Sequence, residues 1–340
     1  MEKIKRILSK IKYYRVICLL ISIIALIVGI AMNIVIAFGS SRFDDQTVSE
    51  RWDSDGKSAH ISVFIKDTAG FTKMNADEAE YKINEKLDFN SIYPEKEDVR
   101  RFIYCYMAKS DITLEGPGRT MNVNCMAVGG DFFKFHPVRL LNGNYFSGED
   151  LMHDGIILDE ETAWQLFGSS DVYGQKVYYG DRVLFVKGVY KKSEGRLFNY
   201  ARGDKPEIFV PFELLDSDYM PLNITCFEVC MPNPVGNFAS TIVTDIMTLD
   251  VSEFEIVDNS TRYSVENLWK VNKNMKYRSM QNNDIIYPYW EKIARYEEDR
   301  LASKAVIMVI SFITSGTVFI GLLLYELSKI TKLRKRNDDN

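Results

Sequence analysis

The sequence predicts an α+β domain that is anchored in a membrane by a transmembrane helix at each end. Three observations indicate this fold class. Long apolar runs occupy residues 16–38 and 304–325, a β-α-β order occurs twice between them, and the middle of the chain is rich in glycine and short alternating runs. With 340 residues, 46% of them hydrophobic, the chain can bury a substantial core.

The first apolar run, residues 16–38, contains no ionised side chain and exceeds the roughly 20 residues that cross about 30 Å of hydrocarbon. A cleavable signal peptide is the alternative for a run near the N-terminus. Its apolar region is usually only about 7 to 15 residues long, and no clear A-x-A cleavage site follows here. The run therefore predicts a retained transmembrane helix.

Small residues follow one stripe of this first span. Ser22, Ala25, Gly29, Asn33 and Ala37 are separated by three or four residues, so they share one face of a helix. Small side chains let helices approach closely, and an amide that faced lipid would be costly. We predict that the Asn33 face packs against the second span or a partner's helix; an incidental stripe is the alternative. The second span offers a matching set: Thr314, Thr317 and Gly321.

Positive charge predicts the orientation. Residues 1–15 and 326–340, which flank the two spans, are both net basic, although the whole chain has a net charge of −5. Basic flanks stay in the cytoplasm, so both termini are predicted to be cytoplasmic and residues 40–300 extracytoplasmic. The domain between the spans is therefore strongly acidic, which argues against a nucleic-acid partner.

Between the spans, the β-α-β order predicts a split domain. The two predicted units are strand, helix and strand at 59–67, 75–89 and 100–108, and again at 223–232, 235–250 and 253–260. Residue Asn75 is predicted to cap the first of these helices. The two parts of the split domain, about 55–137 and 222–262, are interrupted by a predicted β-rich lobe at about 138–220.

The residues before the second span predict a helical stalk at about 288–303. A helix from Pro288 to Tyr325 would span roughly 57 Å at about 1.5 Å per residue, well beyond the 30 Å or so of hydrocarbon. Five side chains at helical spacings are predicted to face a neighbouring stalk: Ile286, Tyr289, Ile293, Tyr296 and Arg300.

An ordered set of short motifs links the middle of the chain to a known family. They are DFF at 131–133, GNYF at 143–146, Asp150, LFG at 166–168, GQKV at 174–177 and VKGV at 186–189. This set resembles the periplasmic core domain of MacB-type ABC transporter permeases, the FtsX/MacB type. The resemblance covers roughly residues 15–325. It implies a porter-like α/β part split by a β-rich lobe, in the plasma membrane of a bacterium.

Members of that family usually have four spans, so the resemblance implies a form truncated after the second span. The sequence has no G-x-x-x-x-G-K-[ST] phosphate loop, which places ATP hydrolysis in another chain. The implied partners are the membrane, an ABC ATP-binding subunit and a fuller permease chain, with a homo- or hetero-oligomer left open. The implied cargo is peptides, antimicrobials, lipids or lipoproteins.

No motif predicts an enzyme, a cofactor or a metal site. The sequence contains neither G-x-S-x-G nor H-E-x-x-H, and its histidines are His60, His136 and His153. Residues 149–155 gather three acids and His153 that could bind a cation. Acids beside glycine are ordinary in turns, however, so a solvated turn is favoured.

Four cysteines lie in the exported part of the chain, where they could oxidise: Cys105, Cys125, Cys226 and Cys230. Cys226 and Cys230 would be roughly 13 Å apart in one strand, too far to bond. A Cys105–Cys125 bridge and four buried thiols both remain open, and Cys18 is placed in the membrane.

Two functions follow from these features. The first is a permease-related subunit that works by mechanical coupling (mechanotransmission) instead of a conducting pore, because two spans can carry a cytoplasmic shift to the outer domain more readily than a single tether. The second is a double-anchored cell-surface receptor or sensor without a transport role.

Overall fold

The computed structural model describes residues 2–53, 55–94, 99–147, 150–203, 205–217, 221–278 and 284–338. The chain forms two compact units. The sheet unit consists of Phe43–Arg262 and Met280–Tyr296. The hairpin unit consists of Met1–Arg42, Tyr263–Ser279 and Glu297–Asn340. The predicted fold class, an α+β domain with a membrane-length helix at each end, is confirmed.

Within the described residues, the sheet unit contains one sheet of ten strands. They are β1 (Ser58–Ile65), β2 (Ile103–Glu115), β3 (Thr120–Gly130), β4 (Arg139–Gly143), β5 (Gly155–Asp159), β6 (Lys176–Tyr179), β7 (Arg182–Lys191), β8 (Glu207–Pro211), β9 (Cys226–Pro232) and β10 (Phe254–Asp258). Their order is β10-β1-β9-β2-β3-β8-β5-β7-β4, and β6 pairs with β2 and β7.

The helices share the same numbering along the chain. They are α1 (Glu2–Ser40), α2 (Val48–Trp52), α3 (Lys73–Phe89), α4 (Phe132–Phe135), α5 (Glu160–Phe167), α6 (Arg196–Arg202), α7 (Phe212–Leu215), α8 (Phe238–Ile246), α9 (Val265–Arg278) and α10 (Tyr289–Asp338).

The two predicted β-α-β units are β1-α3-β2 and β9-α8-β10, and their strands interleave. The neighbours β10-β1-β9-β2 are all antiparallel, which is the order of a ferredoxin-like split β-α-β domain. The β-rich segment between the units supplies β4 to β8 and joins through parallel pairing of β3 with β8. It therefore extends the same sheet.

Capping explains where α3 begins. Thr72 is the N-cap, and its backbone N–H donates to Asn75 Oδ1 at 2.9 Å. Asn75 thus occupies the third helical position of a capping box, so its predicted role as N-cap is wrong by three residues.

The strands alternate between two apolar layers. In β1, Ile61, Val63 and Ile65 face a core that is shared with α3, α5 and α8. The intervening Phe64 faces the opposite core, which includes residues from α2, α4, α6 and the start of α10. Because both faces are covered, the polar residues of β1 at the intervening positions are buried as well.

Both predicted membrane spans lie in helices. Tyr13–Ser40 in α1 and Tyr289–Lys332 in α10 are long and apolar enough to cross a membrane. α1 ends at Ser40, whereas α10 continues without a break for 50 residues.

Candidate functional site at the start of the long helix

The first turns of α10 lie in the core of the sheet unit. Tyr289, Trp290 and Ile293 are buried in the layer that also holds α4 and α6. Two of the predicted stalk-face residues, Tyr289 and Ile293, therefore contact their own domain, and the expectation that they face a neighbouring stalk is wrong. Burying these apolar side chains in the core removes them from water, which stabilises the start of α10 on the sheet.

The other predicted stalk residues lie elsewhere. Ile286 and Tyr296 are exposed. In the hairpin unit, Arg300 pairs with Glu297, with its Nε 2.9 Å from Oε2.

A buried polar cluster lies against the start of α10. We call Asp45, His60, His136, Glu228 and Trp290 the helix-base cluster. The His136 ring stacks on Trp290, with ring centroids 3.9 Å apart and an interplanar angle of 29°. His136 Nδ1 lies 2.7 Å from Asp45 Oδ1, and its Nε2 bonds Glu228 Oε2. One imidazole thus joins two carboxylates and the first turn of the helix.

Glu228 is the centre of this cluster and is only 2% exposed. Its Oε1 accepts from Ser62 Oγ at 2.5 Å and lies 3.2 Å from His60 Nε2. Asn259 Nδ2 in turn donates to Ser62 Oγ at 2.7 Å. Buried carboxylates persist when they are paired and hydrogen-bonded, and Glu228 satisfies both conditions.

The charges of the cluster are set by these contacts. Burial alone would raise the pKa of Glu228, but the His136 imidazolium and the hydrogen bonds from both histidines hold it well below its usual range. Burial alone would lower the pKa of His136, but the Glu228 and Asp45 carboxylates raise it to about 9. At neutral pH the cluster therefore contains a buried imidazolium between two carboxylates.

Three side chains of this region have metal-binding chemistry. Ligand atoms of Cys105, His136 and Glu228 lie within 4.8 Å of one another, and all three residues are buried. The His136 and Glu228 atoms already bond each other, so hydrogen bonding accounts for their arrangement.

A second buried ion-pair network holds the next turn of α10. Arg262 donates to both oxygens of Glu291, at 2.7 and 2.8 Å. Arg295 bridges Glu291, at 2.6 Å, and Glu255 of β10, at 2.7 Å. Burial opposes ionisation of Glu291, yet the two arginines keep its pKa below the usual value. The start of α10 is thus joined to the edge strand as well as to the cluster.

A cavity of about 360 Å³ opens beside the same turns. Lys109, Arg202 and Lys292 line it together with Glu207 and Tyr289. The Arg202 guanidinium lies 3.9 Å above the Tyr289 ring, and its Nε lies 3.9 Å from Glu207 Oε1. Three cationic groups and two carboxylates, those of Asp111 and Glu207, thus line a cavity that shares a wall with α10.

In the hairpin unit, α1 and α10 pack antiparallel along their spans. Ser22 Oγ donates to the Ser315 carbonyl at 3.1 Å, and Asn33 Nδ2 lies 3.5 Å from Met308 Sδ. A Cβ on Gly29 would lie 3.0 Å from Phe312 Cε1.

Beyond the inner end of the spans, Arg15 pairs with Glu326 at 2.7 Å. Ser22, Gly29 and Asn33 of the stripe predicted on the first span therefore contact the second span of the same chain, whereas Ala37 of that stripe is exposed.

The contact face of the second span differs from the predicted set. Thr314 and Thr317 donate their hydroxyls to carbonyls of their own helix, and no atom lies within 4 Å of a Cβ built on Gly321. Within this chain the contacts come from Met308, Phe312 and Ser315 instead. A role for the predicted set against a partner's helix stays a prediction.

The cysteines are free thiols in the part of the chain that the structure describes. Cys125 pairs in register with Ser110, five residues from Cys105, and the two cysteines face opposite cores. A Cys105–Cys125 bridge is therefore ruled out by register. In the loop predicted as a turn, Asp150 pairs with Lys187, and Glu149 lies outside the described residues.

The sheet order and the two membrane-length helices define an α+β domain with a candidate membrane anchor at each end. The family model for the MacB-like periplasmic core domain matches residues 19–231. The chain belongs to this family, and it is therefore a membrane protein of the ABC-type transporter permease class, with its core domain extracytoplasmic.

Several solved structures contain similar domains, and two of them are transporter domains outside the cytoplasm. The periplasmic region of MacB from Actinobacillus actinomycetemcomitans is 16% identical, with a TM-score of 0.43, and the match covers 61% of this chain and 92% of that one. The extracellular domain of the ABC-type transporter YknZ from Gram-positive bacteria is 16% identical, with a TM-score of 0.39, covering 58% and 99%. No curated protein gives a significant match.

Proposed function

We propose that this protein is a permease-related subunit of a MacB-like ABC transport system and couples ATPase action in a partner chain to movement of its extracytoplasmic domain. One observation carries the proposal. A single helix, α10, contains both the buried Trp290 of the helix-base cluster and the second span. A shift of this helix at the cytoplasmic side would act directly on the core of the outer domain.

The contacts at the start of α10 suit such a role. Trp290 is stacked on a charged imidazole, and Glu291 is held by two arginines. Leaving one member of a buried ion pair without its partner costs about 3–5 kcal/mol. A shift of the helix that separated these pairs would be similarly costly, so the helix and the sheet are expected to move together. In this proposal the chain is not itself an enzyme, and the cargo is a peptide, an antimicrobial, a lipid or a lipoprotein.

Co-purification tests the proposal. The full chain, tagged and extracted from its native cells in mild detergent, is expected to carry an ABC ATP-binding subunit and to hydrolyse ATP only in that complex. The control is an unrelated two-span protein with the same tag. Repeated recovery of the chain without any ATP-binding subunit would contradict the proposal.

The second candidate is a surface receptor or sensor, and the cavity beside α10 favours it. In its wall the cations of Lys109, Arg202 and Lys292 outnumber the carboxylates of Asp111 and Glu207, which suits a small anionic ligand. The same purification separates the two functions, because a receptor would be recovered without an ATPase.

The topology gives a separate prediction. Cysteine at Lys57, which is exposed, is expected to react with an impermeant thiol reagent in intact cells, whereas cysteine at Asp338 is not, since both termini are proposed to be cytoplasmic. The wild-type chain is the baseline, because its four extracytoplasmic cysteines are buried. Labelling at position 338 before lysis would show that the C-terminus is outside the cell and would contradict the proposed orientation.

A further inference from the structure

Helix α9 lies against the spans of the hairpin unit. Leu268 is fully buried and, with Val271 and Met275, packs into a cluster formed with α1 and α10. These three residues follow helical spacing and form one stripe. On the spans, the cluster includes Met32, Ile36, Leu301, Ala302, Ala305 and Met308.

These contacts fix the depth of α9 relative to a bilayer. Ile36 lies about 3 Å and Met308 about 6 Å inside the outer ends of the apolar runs, at about 1.5 Å per residue. Leu301, also in the cluster, lies just outside the second run. α9 therefore lies beside the outer ends of both spans, where hydrocarbon gives way to lipid headgroups.

The remaining surface of α9 is amphipathic. Val265 and Trp269, one turn apart, are 42% and 47% exposed and form an apolar flank next to the contact stripe. Lys270 and Lys273 are also exposed, and Lys270 pairs with Glu266, the one acid of this helix. An exposed tryptophan on a basic helix is typical of the membrane interface.

We infer that α9 is a membrane-interface helix that binds anionic phospholipid in the outer leaflet. The Val265 and Trp269 flank lies at the boundary of headgroups and acyl chains, and the lysines contact lipid phosphates. The contact stripe sets the depth of α9 in the membrane, and the lysines set its preference for anionic lipid. The depth and the lipid preference therefore depend on different residues. The inference does not depend on an ABC partner.

Tryptophan quenching tests the depth. The full chain is reconstituted in phosphatidylcholine vesicles with brominated acyl chains, which quench nearby tryptophans. Of the 4 tryptophans, Trp269→Phe removes the one on α9, and Trp164→Phe, at an exposed site in the sheet unit, is the matched control. We expect most of the quenching to be lost in Trp269→Phe and kept in Trp164→Phe. Equal quenching in the two variants overturns the placement.

A second comparison tests the lipid. Adding phosphatidylglycerol to the vesicles is expected to increase quenching of Trp269 in the wild type but not in a Lys270→Glu, Lys273→Glu double variant. Quenching that is independent of phosphatidylglycerol in the wild type overturns the preference for anionic headgroups. Since both readings report lipid contact directly, failure of the proposed transport function would leave them unchanged.

Discussion

Replacing Glu228 with alanine is expected to destabilise the sheet unit by about 3–5 kcal/mol, because it leaves a buried imidazolium without its main counter-charge. The carboxylate is fully enclosed and receives hydrogen bonds from Ser62 and both histidines. The measurement is chemical unfolding of the full chain in mild detergent, followed by the near-ultraviolet signal of Trp290 and its neighbours.

The control is Glu194→Ala, which removes an exposed ion pair with Lys191. Exposed pairs are screened by water and contribute little to stability, so this variant is expected to unfold almost like the wild type. Equal stability of the two variants would show that the helix-base cluster does not hold the domain together.

The same network makes stability depend on pH. The pKa of His136 is about 9 in the folded protein and near 6.5 when unfolded, so its contribution is fully present below about pH 6.5 and is lost as the pH rises through about 9. The loss is on the order of 3 kcal/mol, at 1.36 kcal/mol per pKa unit. Glu228 has a lowered pKa, so its contribution is present above about pH 4.5 and lost on acidification.

Glu228→Gln separates charge from shape, because the amide keeps the volume and can still hydrogen-bond. The decline in stability between pH 6.5 and 9 should be much smaller in this variant. A slope equal to that of the wild type would assign the pH dependence to other groups.

Much of the fold was predictable because its signals are local. The apolar runs and the two β-α-β units depend on composition and period within single segments, and both are present. How the segment between the units joins the sheet was not predictable, because the pairing of β3 with β8 depends on residues about 80 positions apart. The sequence of either strand alone does not indicate with which distant strand, or in which register, it pairs.

The helix-base cluster escaped prediction for a related reason. His60 and Ser62 alternate with apolar residues in β1, as in a strand with one solvated face, and Glu228 does the same in β9. Only the cover over the second face of the sheet shows that these polar residues are buried. Strands in the middle of a covered sheet bury both faces, so the signal for this burial lies in the cover of the sheet and not in the alternation within β1 or β9.

The helix hairpin shows how a small error of period misplaces a contact. Within residues 13–40 of α1, whose side chains the structure describes, the buried positions are Ser22, Gly29, Ile36 and Gly39. Ser22, Gly29 and Ile36 are separated by steps of seven, the period of two helices that wrap around each other. Steps of four carry a stripe gradually around the helix, which explains why Asn33 is only at the edge of the contact and Ala37 is exposed.

Gly29→Leu is expected to loosen the hairpin by about 1 kcal/mol or more, because a side chain at this position meets the Phe312 ring. Gly321→Leu is the matched control, since the same change there meets no atom within 4 Å. Ile27→Leu, on an exposed face of the first span, is a second control. Neither control should disturb the pairing of the helices.

A disulfide reports this pairing directly. The Oγ atoms of Ser22 and Ser315 lie 3.2 Å apart, so Ser22→Cys and Ser315→Cys should cross-link the two spans under mild oxidation. A Cys18→Ala background removes the nearby native thiol, and remaining free thiols are counted by mass spectrometry after denaturation and alkylation. Cross-linking is expected to slow in Gly29→Leu and to stay at the parental rate in Gly321→Leu and Ile27→Leu. If all three variants cross-link at one rate, close packing at Gly29 is unnecessary for the pairing, and the Arg15–Glu326 ion pair beyond the spans becomes the contact to test next.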